Sequence, residues 1–178
     1  MYHINRMDRA IIRKREASAR PATETAPGYR IADYPMHYLA AIQRQNQLNL
    51  ARVLRACDLS VPAWRVLSAL SEKDGQTVGQ IAALTVLDRS GLGRLLEQME
   101  GDDLVERTSP PQDRRAVLIR LTSYGRRRFT AALPLVETHY RRLLRGVASQ
   151  DFKTLMRLLR RIKANALMMT DATDLEPE

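Results

Sequence analysis

The chain has 178 residues, 44% of them hydrophobic, enough to bury one core and short for two domains of ordinary size. Lysine and arginine number 29 against 20 aspartate and glutamate, a net charge of +9 that points to an anionic partner, nucleic acid first. The single cysteine, Cys57, excludes an internal disulfide and a cysteine-rich zinc site, and no uncharged apolar run reaches the roughly 20 residues that span a bilayer.

Residues 1–33 read as a basic arm and linker, with Arg6, Arg9, Arg13, Lys14, Arg15, Arg20 and Arg30 outweighing Asp8, Glu16 and Glu24. Ile4, Met7, Ile11 and Ile12 fall at helical spacing, so a short amphipathic helix and a disordered tail are both open. No continuous apolar core of a secretory signal is present there, and with the lone cysteine this predicts a soluble cytoplasmic protein with no membrane association.

From Tyr34 the period is almost wholly helical. A first helix is predicted over about Pro35 to Ala56, with Tyr38, Ile42, Gln45, Leu48, Asn49 and Arg52 on a mixed face that suits a partner helix. Ser60 should cap a second helix carrying Trp64, Val66, Leu67 and Leu70, which Gly75 ends. Thr77-Val78-Gly79-Gln80 fits a capping box opening a third helix of about eight residues, and after a break at Thr85 to Leu87, Asp88 caps a fourth with Leu92, Leu95, Leu96 and Met99. Two short capped helices around a tight turn make a helix-turn-helix.

Two β-prone runs follow, Leu104 to Thr108 and Ala116 to Leu121, as a hairpin wing around Ser109 to Arg115. Thr122 then caps a long fifth helix that Pro134 should bend, and Ser149 begins a sixth whose stripe is Phe152, Leu155, Met156, Leu159, Ile162 and Leu167. The fold class is mainly α with a small β-hairpin wing: a winged helix-turn-helix lobe over 59–122, a helical dimerisation region over 34–58 and 123–171, and a tail over 172–178.

The spacing Asp113-x-Arg115, Leu121-Thr122 and Gly125, together with Asp88-Arg89-Ser90 and Leu104-Val105-Glu106-Arg107, resembles the MarR family of winged helix-turn-helix transcriptional regulators over roughly residues 35 to 170. Asp103 departs from the family, which usually has Gly before the Leu-Val pair, so the recognition helix should end at Gly101 instead. Gly91 and Gly93 inside that helix either permit close approach to DNA or leave it dependent on tertiary packing.

The resemblance implies a homodimer on double-stranded DNA with a pseudo-palindromic site, half-sites lying about one helical turn apart. Arg89, Ser90 and Arg94 would face base edges in the major groove, with Arg94 alternatively a phosphate contact. At the wing tip Arg115 would enter the minor groove, oriented by Asp113, and Arg114 would meet phosphate. It also implies a repressor released by a small aromatic or phenolic effector or its thioester. Tyr38, Gln45, Trp64 and Arg65 are the candidate lining, and simple packing of Tyr38 and Trp64 is the competing reading.

Cys57 beside Asp58 reads as structural, because an acidic neighbour disfavours a reactive thiolate. His3, His37 and His139 lack metal-ligand spacing, and no phosphate loop, nucleophile elbow or paired acid motif is visible, so neither cofactor nor enzyme activity is expected. An architectural, sequence-tolerant DNA-binding protein is the alternative, and 5% aromatic content argues against an RNA-stacking module.

Overall fold

A computed structural model describes residues 30–109 and 117–169. The chain divides into two units, residues 1–46 and 47–178. In the first, a 3-10 turn over Ile31–Asp33 leads into helix α1, Pro35–Leu54, which continues into the second unit. None of residues 30–46 is buried, and Tyr38 and Ile42 are exposed.

The second unit takes up the chain with the end of α1. A 3-10 turn, Arg55–Cys57, closes that helix, followed by α2 (Val61–Glu72), α3 (Val78–Thr85), α4 (Arg89–Gly101), β1 (Val105–Thr108), β2 (Leu118–Leu121), α5 (Ser123–Leu143) and α6 (Ser149–Met168). Its core is one cluster to which every element except α6 contributes. Leu54, Leu67, Leu70, Ile81, Leu92, Leu96, Met99 and Ile119 are sealed within it. Full burial of each such side chain is worth about 1.5–3 kcal/mol. Trp64 stacks on Phe129 with ring centroids 5.0 Å apart, tying α2 to α5.

The predicted caps form as local chemistry demands. Ser60 Oγ accepts the Ala63 N–H, and Thr77 Oγ1 accepts the Gln80 N–H while Gln80 Oε1 accepts the Thr77 N–H, so both halves of the capping box are made. Thr122 Oγ1 accepts the Gly125 N–H and starts α5, a 21-residue helix unbroken through Pro134.

Two helix ends show how the chain turns out of a helix. The fourth helix does end at Gly101, as expected, but the left-handed residue that turns the chain after it is Asp103 (φ +56°) rather than a glycine. The Leu104 N–H then donates to the Met99 carbonyl and the Asp103 N–H to the Glu100 carbonyl. This paired pattern satisfies orphan carbonyls and lets Leu104 pack beside Met99, and aspartate tolerates the conformation better than most residues. Asp58 (φ +48°) closes α1 in the same way.

Gly75 does not end the second helix. That helix stops at Glu72, with Lys73 already extended, and Gly75 (φ +68°) instead turns the chain toward Gln76. Gln76 exchanges both backbone hydrogen bonds with Ile119, at 3.1 and 2.8 Å, and so adds a one-residue third strand to the antiparallel pair β1–β2. Gln76 is 2% exposed, and its side-chain amide donates to the carbonyl of Ala69 (2.8 Å), which also accepts the Lys73 N–H, and to that of Lys73 (2.7 Å), just beyond the end of α2.

Candidate nucleic-acid interface

The turn from α3 to α4 is short because Val86 adopts a left-handed conformation (φ +55°), its N–H returning to the Ala82 carbonyl. Asp88 then caps α4: Oδ1 accepts the Gly91 N–H at 2.7 Å and the Ser90 hydroxyl at 2.9 Å. These two donors hold the Asp88 carboxyl below its ordinary pKa, the Gly91 amide contributing most. A methyl group on Gly91 would sit 2.8 Å from the same carboxylate, so the close approach this glycine permits is to its own cap. Gly93, half-buried, has open space around it.

Leu92, Leu96 and Met99 turn α4 inward. Arg89, Ser90 and Arg94 are exposed, as are Glu97 and Gln98 about one turn beyond Arg94. Arg89 reaches back over the start of α3, its guanidinium 3.8 Å from where a Gly79 Cβ would stand. Arg89 therefore brings an exposed cation beside the first turn of α3. Glu97 and Gln98 were legible in the spacing from Ser90 and Arg94 but not among the expected contacts.

Contacts on both strands tie the wing to the neighbouring helices and turn. Glu100 on α4 pairs with Arg107 on β1 at 2.9 Å, and Gln76 pairs with β2 as above. Asp113, Arg114 and Arg115 lie outside the described residues, as do the basic arm through residue 29 and the tail from residue 170.

The candidate ligand residues fall in different parts of the chain. Tyr38, edge-on to the His37 ring, and Gln45 are exposed on the first-unit part of α1. Trp64 and Arg65 belong to α2, where Trp64 is 7% exposed against Phe129 and Arg65 is half-buried. Cys57 is half-buried, and its carbonyl accepts a hydrogen bond from Arg128, whose guanidinium also lies 3.5 Å from Asp58 Oδ2. Among the described residues no group of His, Cys, Asp and Glu is arranged to hold a metal ion, and no helix is long and apolar enough to cross a membrane.

With a capped helix pair, outward Arg89 and Arg94 and an antiparallel wing in place, the chain can be compared with known proteins. A sequence model described as the MarR family matches residues 58–116, which run from the end of α1 into the wing. This chain matches the MarR family of helix-turn-helix regulators. The HTH-type transcriptional repressor IacR of Pseudomonas putida is 27% identical over 131 residues, 74% of this chain and 78% of that protein. The transcriptional activatory protein BadR of Rhodopseudomonas palustris is 28% identical over 173 residues, 90% of this chain and 99% of that one.

Among solved structures, CouR of Rhodococcus jostii RHA1 bound to p-coumaroyl-CoA superposes with a TM-score of 0.70 at 26% identity, covering 76% of this chain and 95% of CouR. CouR bound to a 23-mer DNA duplex gives 0.68 at 25% identity, over 75% and 94%. The MarR-like winged helix-turn-helix is thus the fold, and the matched proteins are regulators rather than enzymes. DNA binding through the helix-turn-helix is the family-level function.

Proposed function

We propose that this chain is a sequence-specific transcriptional regulator that binds a pseudo-palindromic duplex as a homodimer and acts as a repressor released by a small aromatic or phenolic compound or its thioester. The observation that carries the reading is the exposed, Asp88-capped first turn of α4, with Arg89, Ser90 and Arg94 outward, in a fold shared with a regulator solved on duplex DNA. In this reading Arg89 and Ser90 meet base edges in the major groove and Arg94 meets either a base or a phosphate. Asp113, Arg114 and Arg115 form the wing tip, Arg115 in the minor groove, oriented by Asp113.

Residues 59–122 form the DNA-binding lobe, and 34–58 with 123–171 the dimerisation region. Support for a second copy comes from α6, which has no buried residue although Phe152, Leu155, Leu158 and Ile162 repeat at helical spacing. The aromatic effector is supported by the p-coumaroyl-CoA bound to CouR. Tyr38, Gln45 and Arg65 are its proposed polar contacts, with the Trp64 ring system as apolar wall.

The test is a titration against the chain's own upstream promoter duplex and a random duplex, with and without a panel of aromatic acids and thioesters, at two salt concentrations. A preference of about 10³-fold or more for one duplex, lost on adding one compound, is the expected result. Salt-sensitive binding to every duplex, indifferent to all compounds, would establish instead an architectural protein without an effector.

A further inference from the structure

The segment between α2 and α3 is bound to the wing more tightly than a connecting turn requires. Beyond the Gln76–Ile119 pair, Asp74 Oδ1 accepts the backbone N–H of Leu121 at 3.0 Å, across 47 residues of sequence. The two N–H groups, of Ile119 and Leu121, are two residues apart on an extended strand and so point to the same edge of β2, the one not occupied by β1. The first is met by a backbone carbonyl and the second by a side chain. Where Gly75 turns the main chain away, the Asp74 carboxylate continues the ladder.

Resting on the DNA-binding reading above, we infer that Asp74 is a positioning residue for that activity: its carboxylate clamps the base of β2 and sets the angle of the wing against α3 and α4. Asp74 has two properties that are separable, an acceptor and a charge. Its second oxygen lies 3.7 Å from the Arg120 guanidinium and 3.8 Å from that of Arg126. A charge role would make Asp74 a mask over two arginines that otherwise meet phosphate. The geometry favours the acceptor, since the bond to Leu121 is of ordinary length whereas the ion pairs are long and the arginine side chains are 44% and 56% exposed.

Full-length Asp74→Ala, Asp74→Asn and Asp74→Glu separate these roles. The probes are a duplex enriched from random-sequence DNA by the wild-type protein, an unselected duplex, and hydrogen exchange at the Leu121 amide. Asp74→Asn keeps an acceptor and should bind the enriched duplex within about twofold of wild type, whereas Asp74→Ala should lose about tenfold, the worth of one such bond. The loss should spare the unselected duplex and leave the salt dependence unchanged, while Leu121 exchange rises by about tenfold or more.

Asp74→Glu keeps the charge but moves the acceptor by one methylene, so it should follow Ala, and it decides the matter if Ala does not fold. Tighter binding with a steeper salt dependence in both Ala and Asn variants would overturn the inference in favour of a charge mask, and wild-type binding by Asp74→Ala would overturn it outright. If the wild-type protein enriches no duplex, the regulator reading fails and with it any role in DNA binding. Leu121 exchange in Asp74→Ala still reports then whether the clamp exists.

Discussion

The Cβ that Gly125 lacks would stand 1.9 Å from the carbonyl oxygen of Leu104, so the first turn of α5 lies directly on the backbone that links α4 to the wing. No rotamer can relieve that contact, because both groups are fixed by main chain. Gly125→Ala must push α5 away from the Leu104 turn, at a cost of about 2–4 kcal/mol. Urea unfolding should show a lower midpoint with an unchanged slope, and a midpoint within error of wild type would mean that the turn yields freely.

Val86 stands in a left-handed conformation with 79% of its surface exposed, so a β-branched residue bears backbone strain and recovers little through burial. Removing the strain recovers about 1–2 kcal/mol, partly offset by the flexibility glycine adds to the unfolded chain. Val86→Gly should therefore stabilise by about 0.5–1 kcal/mol, read as a rise in Tm by calorimetry. A fall in Tm would show that the valine side chain contributes packing that its exposure conceals.

Asp88 links stability to acid. Its carboxyl is held below the ordinary value, first by the Gly91 amide and then by the Ser90 hydroxyl. A depressed folded-state pKa contributes stability that is fully present above the unfolded value of about 3.9 and is lost as pH falls through the lower folded value. The cap should therefore weaken only below about pH 4. Comparing Tm against pH for wild type and Asp88→Asn checks it: the two curves should converge in acid, and parallel curves would remove Asp88 as the source.

Half-buried Gly93 has open space where a Cβ would stand, so alanine fits there and removes a helix-interior glycine. Gly93→Ala should gain about 0.5–1 kcal/mol. Chemical denaturation measures the gain; a loss would reveal that α4 needs the flexibility of glycine at its centre.

Arg89 and Arg94 can be assigned to base or phosphate by the form of their loss. An alanine variant at a base contact should cost about 1–3 kcal/mol on the preferred duplex and relax its sequence preference, whereas loss of a phosphate contact weakens all duplexes alike and reduces the salt slope by about 1. Titrations of both variants at several salt concentrations distinguish these, and two variants indistinguishable from wild type would exclude this edge of α4 from the interface.

What was legible in the sequence was short in range. Ser60, Thr77 with Gln80, Asp88 and Thr122 cap within three residues of themselves, so their chemistry and spacing suffice to place four helix starts. The ends were harder, because a left-handed residue need not be glycine: Asp58, Val86 and Asp103 all adopt that conformation. Gln76 and Asp74 escaped notice since their partners on β2 lie more than 40 residues away, and only an Asp-Gly pair ahead of a capping box hinted at a constrained turn. For the proposed contacts, sequence period separated the outward Arg89, Ser90 and Arg94 from the inward Leu92 and Leu96, while Trp64 followed its hydrophobicity into the core.

Trp64 is the chain's only tryptophan, and its ring lies 12° from parallel to that of Phe129. Indole emission therefore comes from a single junction, where α2 meets α5. A spectral shift on adding a candidate effector would report a rearrangement at that junction without any label, and the same signal, followed in denaturant, would time the separation of α2 from α5 against the loss of helix seen by circular dichroism.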